Sequence, residues 1–518
     1  MGKKLERVVT ADPLRTLLAK EPELYTRRDL LRAVRELGIE NFTFHYVGLE
    51  GRISSLRLPL NGLQLAERLL ALGERVDGSS LFKGLVDASV SDLYVVPRYS
   101  SAFINPFDPK SLDFVCRFVN AEGELATFAP DGILLKSKEQ LERESGCELW
   151  AMGELEFYLI YPTSLLSELY PVRSQGGYHI SEPFLKHRQV LEEIADTVQR
   201  VTGALKYAHA EVGHINKLAS KNRALHGQEA EQFELEFYPR PIDRAADDLC
   251  LARWLVRTIA ARHGFLATFT PKLTEEAAGS GLHIHLELRR EGRNIMLDEA
   301  GQLSSPARQL IGGLLRYVPT LTAFGNTQAA SYLRLVPDHE APTKICWSFS
   351  NRSSLVRVPL GWSKGGDLSR VVNPHEEGRY LPAESRQTVE LRSPDGSAQI
   401  YLLLAGVMTA VKWALNHPQE ALEVAQKTEV QGNIFHDPQL AATLTDLPRS
   451  CWEGAQYLER DRAFYEEDGL FPPFVIDYVL KALRREDDAH LQERLSTLVG
   501  EKRRQEYLEV LQRDLHRS

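Results

Sequence analysis

Four short stretches of the chain place ionisable side chains two residues apart. They are Glu154 and Glu156 in ELEFYL, Glu234 and Glu236 in QFELEF, His283 and His285 in GLHIHLEL, and Glu390 and Arg392 in VELRS. An extended strand turns alternate side chains to opposite faces. Each pair therefore shares one face, while Leu155, Phe157, Leu235, Phe237, Ile284 and Leu391 take the other. A solvated polar face explains any one of these strands taken alone. Side by side, they put several carboxylates and two imidazoles on a single sheet face. Carboxylates that close raise each other's pKa unless a cation neutralises them. An oxygen-rich ligand set with one or two histidines suits a hard or borderline divalent ion, Mg2+ or Mn2+. Zinc fits less well, because these strands carry no thiol. A polar groove without metal is the alternative.

Arginines supply the opposite charge. Arg334 lies in SYLRL, Arg352 and Arg357 in NRSSLVRVP, and Arg392 in ELRSPD. Each sits in an apolar or turn-rich segment rather than in a charge run, which weakens the reading as scattered surface arginine. A guanidinium presents a rigid fork of donors that matches carboxylate and phosphate. Metal ions with several arginines make a site for a transferring phosphoryl group and an anionic acceptor.

The elements that must hold these residues follow from the pattern around them. Residues 1–37 read as an amphipathic helical segment ending near Gly38. From Asn41 to about Val119, runs such as FTFHYV, RISSLRLPL, DLYVVP and FVCRFVN read as strands of a small α+β domain. From Glu148 the alternating strands are separated by helical patterns at 186–202, 244–263 and 305–318, an α+β unit with a mainly antiparallel sheet. After Ala398 the chain reads as helix, and its charged end suits a solvated face or an oligomer contact.

Composition agrees. The 518 residues are 43% hydrophobic and 26% charged, with a net charge of −9. That length allows about three domains, or one large catalytic unit with a satellite. The values exclude a disordered chain, collagen and a disulfide scaffold, and they argue against nucleic acid as a partner. The five cysteines are scattered, without a CxxC pair, and read as reduced structural thiols. The longest apolar run, Ile400 to Val411, is too short to span a bilayer and fits a buried helix. With no apolar signal segment at the N-terminus, a cytoplasmic protein is expected.

Taken together these segments resemble glutamine synthetase. The likeness runs from about Ile39 to the C-terminus. It is densest in VDGSS (76–80), SDLYVVP (91–97), ELEF (154–157), ATFTPK (267–272), GSGLHIH (279–285), SYLRLVPDHEAP (331–342), NRSSLVRVP (351–359) and ELRSPDGSA (390–398). The RSPDGSA stretch favours glutamine synthetase over the family's γ-glutamyl-polyamine ligases. The resemblance implies an N-terminal helical segment at 1–37, a β-grasp domain at 38–125 and a catalytic domain at 126–518. The catalytic domain would hold an antiparallel sheet with helices and turn helical from about 398.

The resemblance also implies a homo-oligomer, a dodecamer of two stacked hexameric rings with active sites between neighbours. Its substrates would be glutamate, ammonia and ATP, with two or three Mg2+ or Mn2+. By motif, Glu156, Glu211 and Glu234 would hold one metal, and Glu154, His283 and Glu390 the other. Asp77, Ser80, Asp92, Tyr178 and Glu211 would form the ammonium pocket, with Asp77 taking the proton. Glu340 would cover the site as a flap residue and accept a proton from the intermediate. Arg334 and Arg392 would bind the carboxylates of glutamate. Arg352 and Arg357, with His285 near them, would serve the transferring phosphate. Gly279 would let its backbone approach the substrate.

Several positions depart from the family pattern. Ala278 stands where Asn is usual, Ala330 and Leu333 flank SY where Asn and a basic residue are common, Glu287 replaces Ser, and Thr388 replaces an Arg that meets ATP. His214 to Glu231 is an insertion, open to readings as a lid, a ring contact or a surface loop. A Glu beside phosphates is unfavourable unless a cation offsets it. These departures keep two alternatives in play. One is a γ-glutamyl ligase for an organic amine or polyamine; the other is a catalytically weak ring-forming homologue with a binding role. Region 419–456 contains no Tyr, so tyrosine adenylylation, known in one branch of the family, is not expected.

Overall fold

The structure is a computed structural model that describes residues 12–86, 91–336, 341–361, 367–381 and 384–517. Its strands form two sheets. The first contains β1 (Asn41–Val47), β2 (Ile53–Pro59), β3 (Glu74–Asp77), β4 (Asp92–Pro97), β5 (Phe103–Ile104) and β6 (Ser111–Val119), in the order β2-β1-β6-β4-β3 with β5 on β6. The strand β1 is buried along its length and pairs antiparallel with β2 and parallel with β6. The helix Leu63–Leu72 adds Ala66, Leu69 and Leu70 to the core. Its end at Gly73 requires glycine: φ is +68°, and a Cβ there would lie 2.3 Å from the Val95 carbonyl oxygen. This mixed sheet is compatible with a β-grasp arrangement. Before it, the described part of the N-terminal segment forms the helices Pro13–Leu18 and Arg27–Glu36.

The second sheet has ten strands: β7 (Glu148–Tyr161), β8 (Leu205–Ile215), β9 (Glu229–Phe237), β10 (Arg240–Pro241), β11 (Leu266–Thr268), β12 (Leu282–Arg290), β13 (Arg293–Asn294), β14 (Trp347–Phe349), β15 (Val356–Val358) and β16 (Val389–Leu391). Its main path runs β14-β15-β16-β12-β7-β9-β8 and is antiparallel apart from β14 with β15. The apolar side chains Leu155, Phe157, Leu235, Ile284 and Leu391 are fully buried. The helix Ile242–Arg262 packs against β7. Gly153 permits that approach, because a Cβ there would lie 2.6 Å from Leu249 Cδ2.

The two sheets are joined by buried charge. Arg117 on β6 donates to both oxygens of Asp247 at 2.9 and 2.8 Å, and Arg98 reaches Asp247 at 2.9 Å and Asp243 at 2.8 Å. The apolar run at 400 is the buried helix Ile400–Asn416, packed on Pro130–Ser145 and Ser305–Gly325. No helix among the described residues is long and apolar enough to cross a membrane. The insertion closes β8, forms a loop and opens β9; Leu218 and Leu225 in it pack with Leu273 and Leu515. The charged C-terminal helix Gly500–Leu511 is not solvated all round, since Leu508, Val510 and Leu511 are buried against the same chain.

Candidate active site

The strand order places β16, β12, β7 and β9 side by side, so the four alternating stretches are neighbours. Register sets their side chains in rows. Glu154 lies opposite His283 on one side and Glu236 on the other; Glu156 lies opposite Glu234, which lies opposite His209; Glu390 lies opposite His285 and Arg357. The polar face is not solvated: Glu156, Glu234, His283, His285 and Glu390 are all buried. They sit in or beside a cavity of about 320 Å³.

Glu154 is the hub. His283 Nδ1 lies 2.9 Å from its Oε2 and His285 Nε2 lies 2.9 Å from its Oε1. His283 also faces Glu390 at 3.6 Å and Glu156 at 3.9 Å. Burial pushes Glu154 up, but His285 and His283 together outweigh it and hold the carboxyl well below its usual range. Glu390 is likewise held low against burial, by His285 and then Arg392 and His283. Glu156 is fixed by donors from Gly281 N at 2.8 Å and Gln232 Nε2 at 3.0 Å. Gln232 also donates to Gly279 O and accepts from Gly213 N, so one amide holds three pieces of the wall.

Glu211 arrives on β8, a strand the sequence reading did not recognise. The pairing of β8 with β9 slips between Ala210 and His214, so Glu211 sits in an irregular stretch that re-aims its side chain. His209 comes with it, 3.4 Å from Glu234 and 3.9 Å from Glu211. The alternation Tyr207, His209, Glu211 against Ala208, Ala210, Val212 was the available signal. Glu211 is pushed up to about 8, by burial first and then by Glu156 and Glu234. Burial also raises Glu234.

Ligand atoms lie within 4.8 Å of one another in three groups: Glu154, His285 and Glu390; His209, Glu211 and Glu234; and Glu154, Glu234 and Glu236. The second group has more carboxylate charge than the protein's own cations offset, as the position of Glu211 shows. A divalent ion with a preference for oxygen and imidazole fits that donor set.

The arginines come from a helix (Arg334), a strand of the sheet (Arg357, on β15), the residue after β16 (Arg392) and a loop (Arg352). Arg334, Arg352, Arg357 and Arg392 line the same cavity, with Tyr178 and Gly279. Arg334 is buried and donates to Ser393 O at 2.9 Å. Gly279 packs against it so closely that a Cβ there would lie 2.6 Å from Arg334 Cγ. Arg357 and Arg392 both contact Glu390, at 2.7 and 3.0 Å. Tyr178 is half-exposed, its ring edge-on to His209.

A second cavity of about 400 Å³ shares Glu154, Tyr207, Arg352 and Arg357 with the first. Its wall holds His285, Thr388, Glu287, Arg289, Lys206 and Glu236. Arg289, 2.7 Å away, is the cation beside Glu287, and the Asn294 amide donates to the other carboxylate oxygen at 2.8 Å. Arg289 stacks on Trp150 and pairs with Glu384. Lys206 donates to Glu236. Thr388 Oγ1 lies 2.9 Å from His285 Nδ1.

Asp77, Ser80 and Asp92 do not line the cavity. Asp77 ends β3, Ser80 lies in the short helix Gly78–Leu81 that follows it, and Asp92 opens β4. Asp77 accepts from Ser79 and Ser80, which hold its carboxyl at about 2, and Asp92 faces Arg75 at 3.2 Å. Glu340 lies outside the described residues.

Known proteins match this chain in sequence and in fold. Residues 129–498 match the family model described as glutamine synthetase, catalytic domain. A glutamine synthetase of Pyrococcus horikoshii is 28% identical over 426 residues, covering 82% of this chain and 85% of that one. One of Aquifex aeolicus is 25% identical over 493 residues, covering 90% and 96%. Among solved structures, a chain described as "GmaS/ADP complex" superposes with a TM-score of 0.71 at 21% identity, over 92% of this chain and 98% of that one. A Plasmodium falciparum glutamine synthetase gives 0.69 at 20%, over 90% and 97%. These two share the fold. With residues 129–498, well over half of its length, matched by that family model, the chain belongs to the glutamine synthetase family.

Proposed function

We propose that the protein is an ATP-dependent ligase that joins ammonia to the γ-carboxylate of glutamate through γ-glutamyl phosphate, giving glutamine, ADP and phosphate. The observation that carries this reading is the single sheet face on which Glu154, Glu156, Glu234, His283 and Glu390 meet Glu211 beside a cavity ringed by arginines. A carboxylate is a poor electrophile, and phosphorylation gives it a leaving group. Glu156, Glu211 and Glu234 would hold one divalent ion, with His209 beside them; Glu154, His283 and Glu390 would hold another. Bound there, two or three Mg2+ or Mn2+ neutralise phosphate charge.

The protein's own groups do the rest. Arg334 and Arg392 hold the carboxylates of glutamate. Arg352 and Arg357 line both cavities, so they flank the path of the transferring phosphoryl group, and His285 lies beside that path. Lys206 and Arg289 add positive charge on the nucleotide side. Asp77, Ser80 and Asp92 complete the ammonium pocket from a neighbouring copy, in a ring assembly of the dodecameric kind. Asp77 is ionised at neutral pH and attracts ammonium; burial by the neighbour raises its pKa so that it can take the proton. Glu340 acts as the covering residue, and Glu340→Ala should keep ATP binding and lose turnover. Phosphate release should require glutamate, ammonia and Mg2+ together; equal release without ammonia refutes the reading.

One observation favours an organic amine as acceptor instead. A further cavity of about 250 Å³ adjoins the first at Gln175 and Glu276, next to Ala278, and ammonium does not need that space. An amine panel separates the two, and ammonia as best acceptor removes the second.

A further inference from the structure

We infer that the C-terminal segment 500–517, together with Glu486, is a positioning element for Arg334, and so for recognition of the acid substrate. The inference rests on the reading of Arg334 as a carboxylate-binding residue. Residues 500–517 lie past the matched catalytic domain, yet they touch the helix that carries Arg334, the stretch that leads to Gly279 against it, and the insertion.

The first piece is the helix Ala329–Arg334. Its departures from the family, Ala330 and Leu333, form a dry surface that packs with Leu491, Leu495, Val510 and Leu511. A polar or basic side chain there would be buried without a partner. The helix start is held by Glu486, which is buried and accepts from Ala329 N at 3.1 Å. Glu486 is in turn held by Arg513 at 3.5 Å and by Arg517.

The second piece is the stretch from Thr268 to Gly279, which presses on Arg334 from the other side. Thr268 and Thr270 hydroxyls donate to the Leu515 and Leu511 carbonyls at 2.8 and 3.1 Å. Gln512 Nε2 donates to Leu273 O at 3.2 Å and to Ala219 O at 2.9 Å. That second bond reaches the third piece, the insertion. Its Leu218 and Leu225 share an apolar cluster with Leu273 and Leu515. The C-terminal segment, the insertion and the altered SY flanks are thus parts of one device. It sets the spacing between the Arg334 helix and the Gly279 loop, and a shift of about 1 Å in such a spacing can cost on the order of 100-fold.

Deleting 500–518 would strip buried Leu333 and Leu495, so point variants of the full chain are the test: Gln512→Met, and separately Glu486→Gln. Hydrogen–deuterium exchange is read at 329–335 and 271–279, with β1 as reference. KM is read for glutamate and for ATP. The expected result is faster exchange at those two segments alone, with the glutamate KM raised about tenfold and the ATP KM within about twofold. Unchanged exchange at both segments overturns the inference. So does an equal rise in both KM values, or altered exchange with an unaltered glutamate KM. If the unaltered chain does not use glutamate, the reading of Arg334 falls, and exchange alone still decides whether the segment holds that helix in place.

Discussion

The two cavities that meet at Glu154 handle negative charge in opposite ways. In the cavity lined by His285 and Thr388, Glu287 pairs with Arg289 and Glu236 with Lys206, although burial still leaves both carboxyls above their usual range. In the cavity lined by Arg334 and Gly279, Glu156, Glu211 and Glu234 crowd together, with His209 beside Glu211 and Glu234 and His283 3.9 Å from Glu156, and Glu211 is pushed up to about 8. In the first arrangement Lys206 and Arg289 are engaged by these acids, and Arg352 and Arg357 are shared with the other cavity. The second sets three carboxylates against two imidazoles, so its ionised form gains from a further cation. A carboxylate in a cleft is therefore not a sign of a metal site; a carboxylate whose neighbours fail to balance it is.

The largest test of this contrast removes an unbalanced acid. Glu234→Gln should lower apparent Mn2+ affinity by at least about 100-fold, measured by titration calorimetry. Next, breaking a balanced pair should hurt the other substrate. Arg289→Ala strands Glu287 and should raise the ATP KM by roughly 10- to 100-fold, and Glu287→Ser in that background should recover most of it.

The contrast also has a signature in pH. For Glu211 the folded pKa, about 8, lies above the ordinary 4.5, so chelated protein should lose stability as pH rises from 4.5 through 8. Added Mn2+ should restore it, read as the melting temperature. Asp243 behaves oppositely. Burial pushes it up, but Arg98 and Lys138 prevail and hold it at about 2 against the ordinary 3.8. Its contribution, about 2 kcal/mol, is present above pH 3.8 and is lost as pH falls through 2; Asp243→Asn should flatten that part of an acid-unfolding curve. The smallest effect is Thr388→Val. It removes one hydrogen bond to His285, worth about 1 kcal/mol, so the ATP KM should rise roughly fivefold.

How far the sequence foretold this site depended on regularity. Glu154, Glu156, Glu234, Glu236, His283, His285 and Glu390 were readable as faces because β7, β9, β12 and β16 keep their period of two across the site. Glu211 came only through family likeness, and His209 was missed, because the slip in β8 hides a strand whose apolar side is mostly Ala. The balance of Glu287 by Arg289 depends on side chains two apart on one strand, and its second partner, Asn294, comes from the adjoining hairpin. The placement of Asp77 away from the cavity follows from which sheet holds it, a tertiary fact that no local pattern carries.

The wall shared through Glu154 has a consequence for how such a chain can diversify. On the proposed assignment of the two cavities, the loop 216–228, the C-terminal segment and Thr388 each stand on one side of that wall. Glu154 lines both cavities, so on that assignment a replacement there should disturb binding on both sides at once, whereas a change at the rim should disturb one.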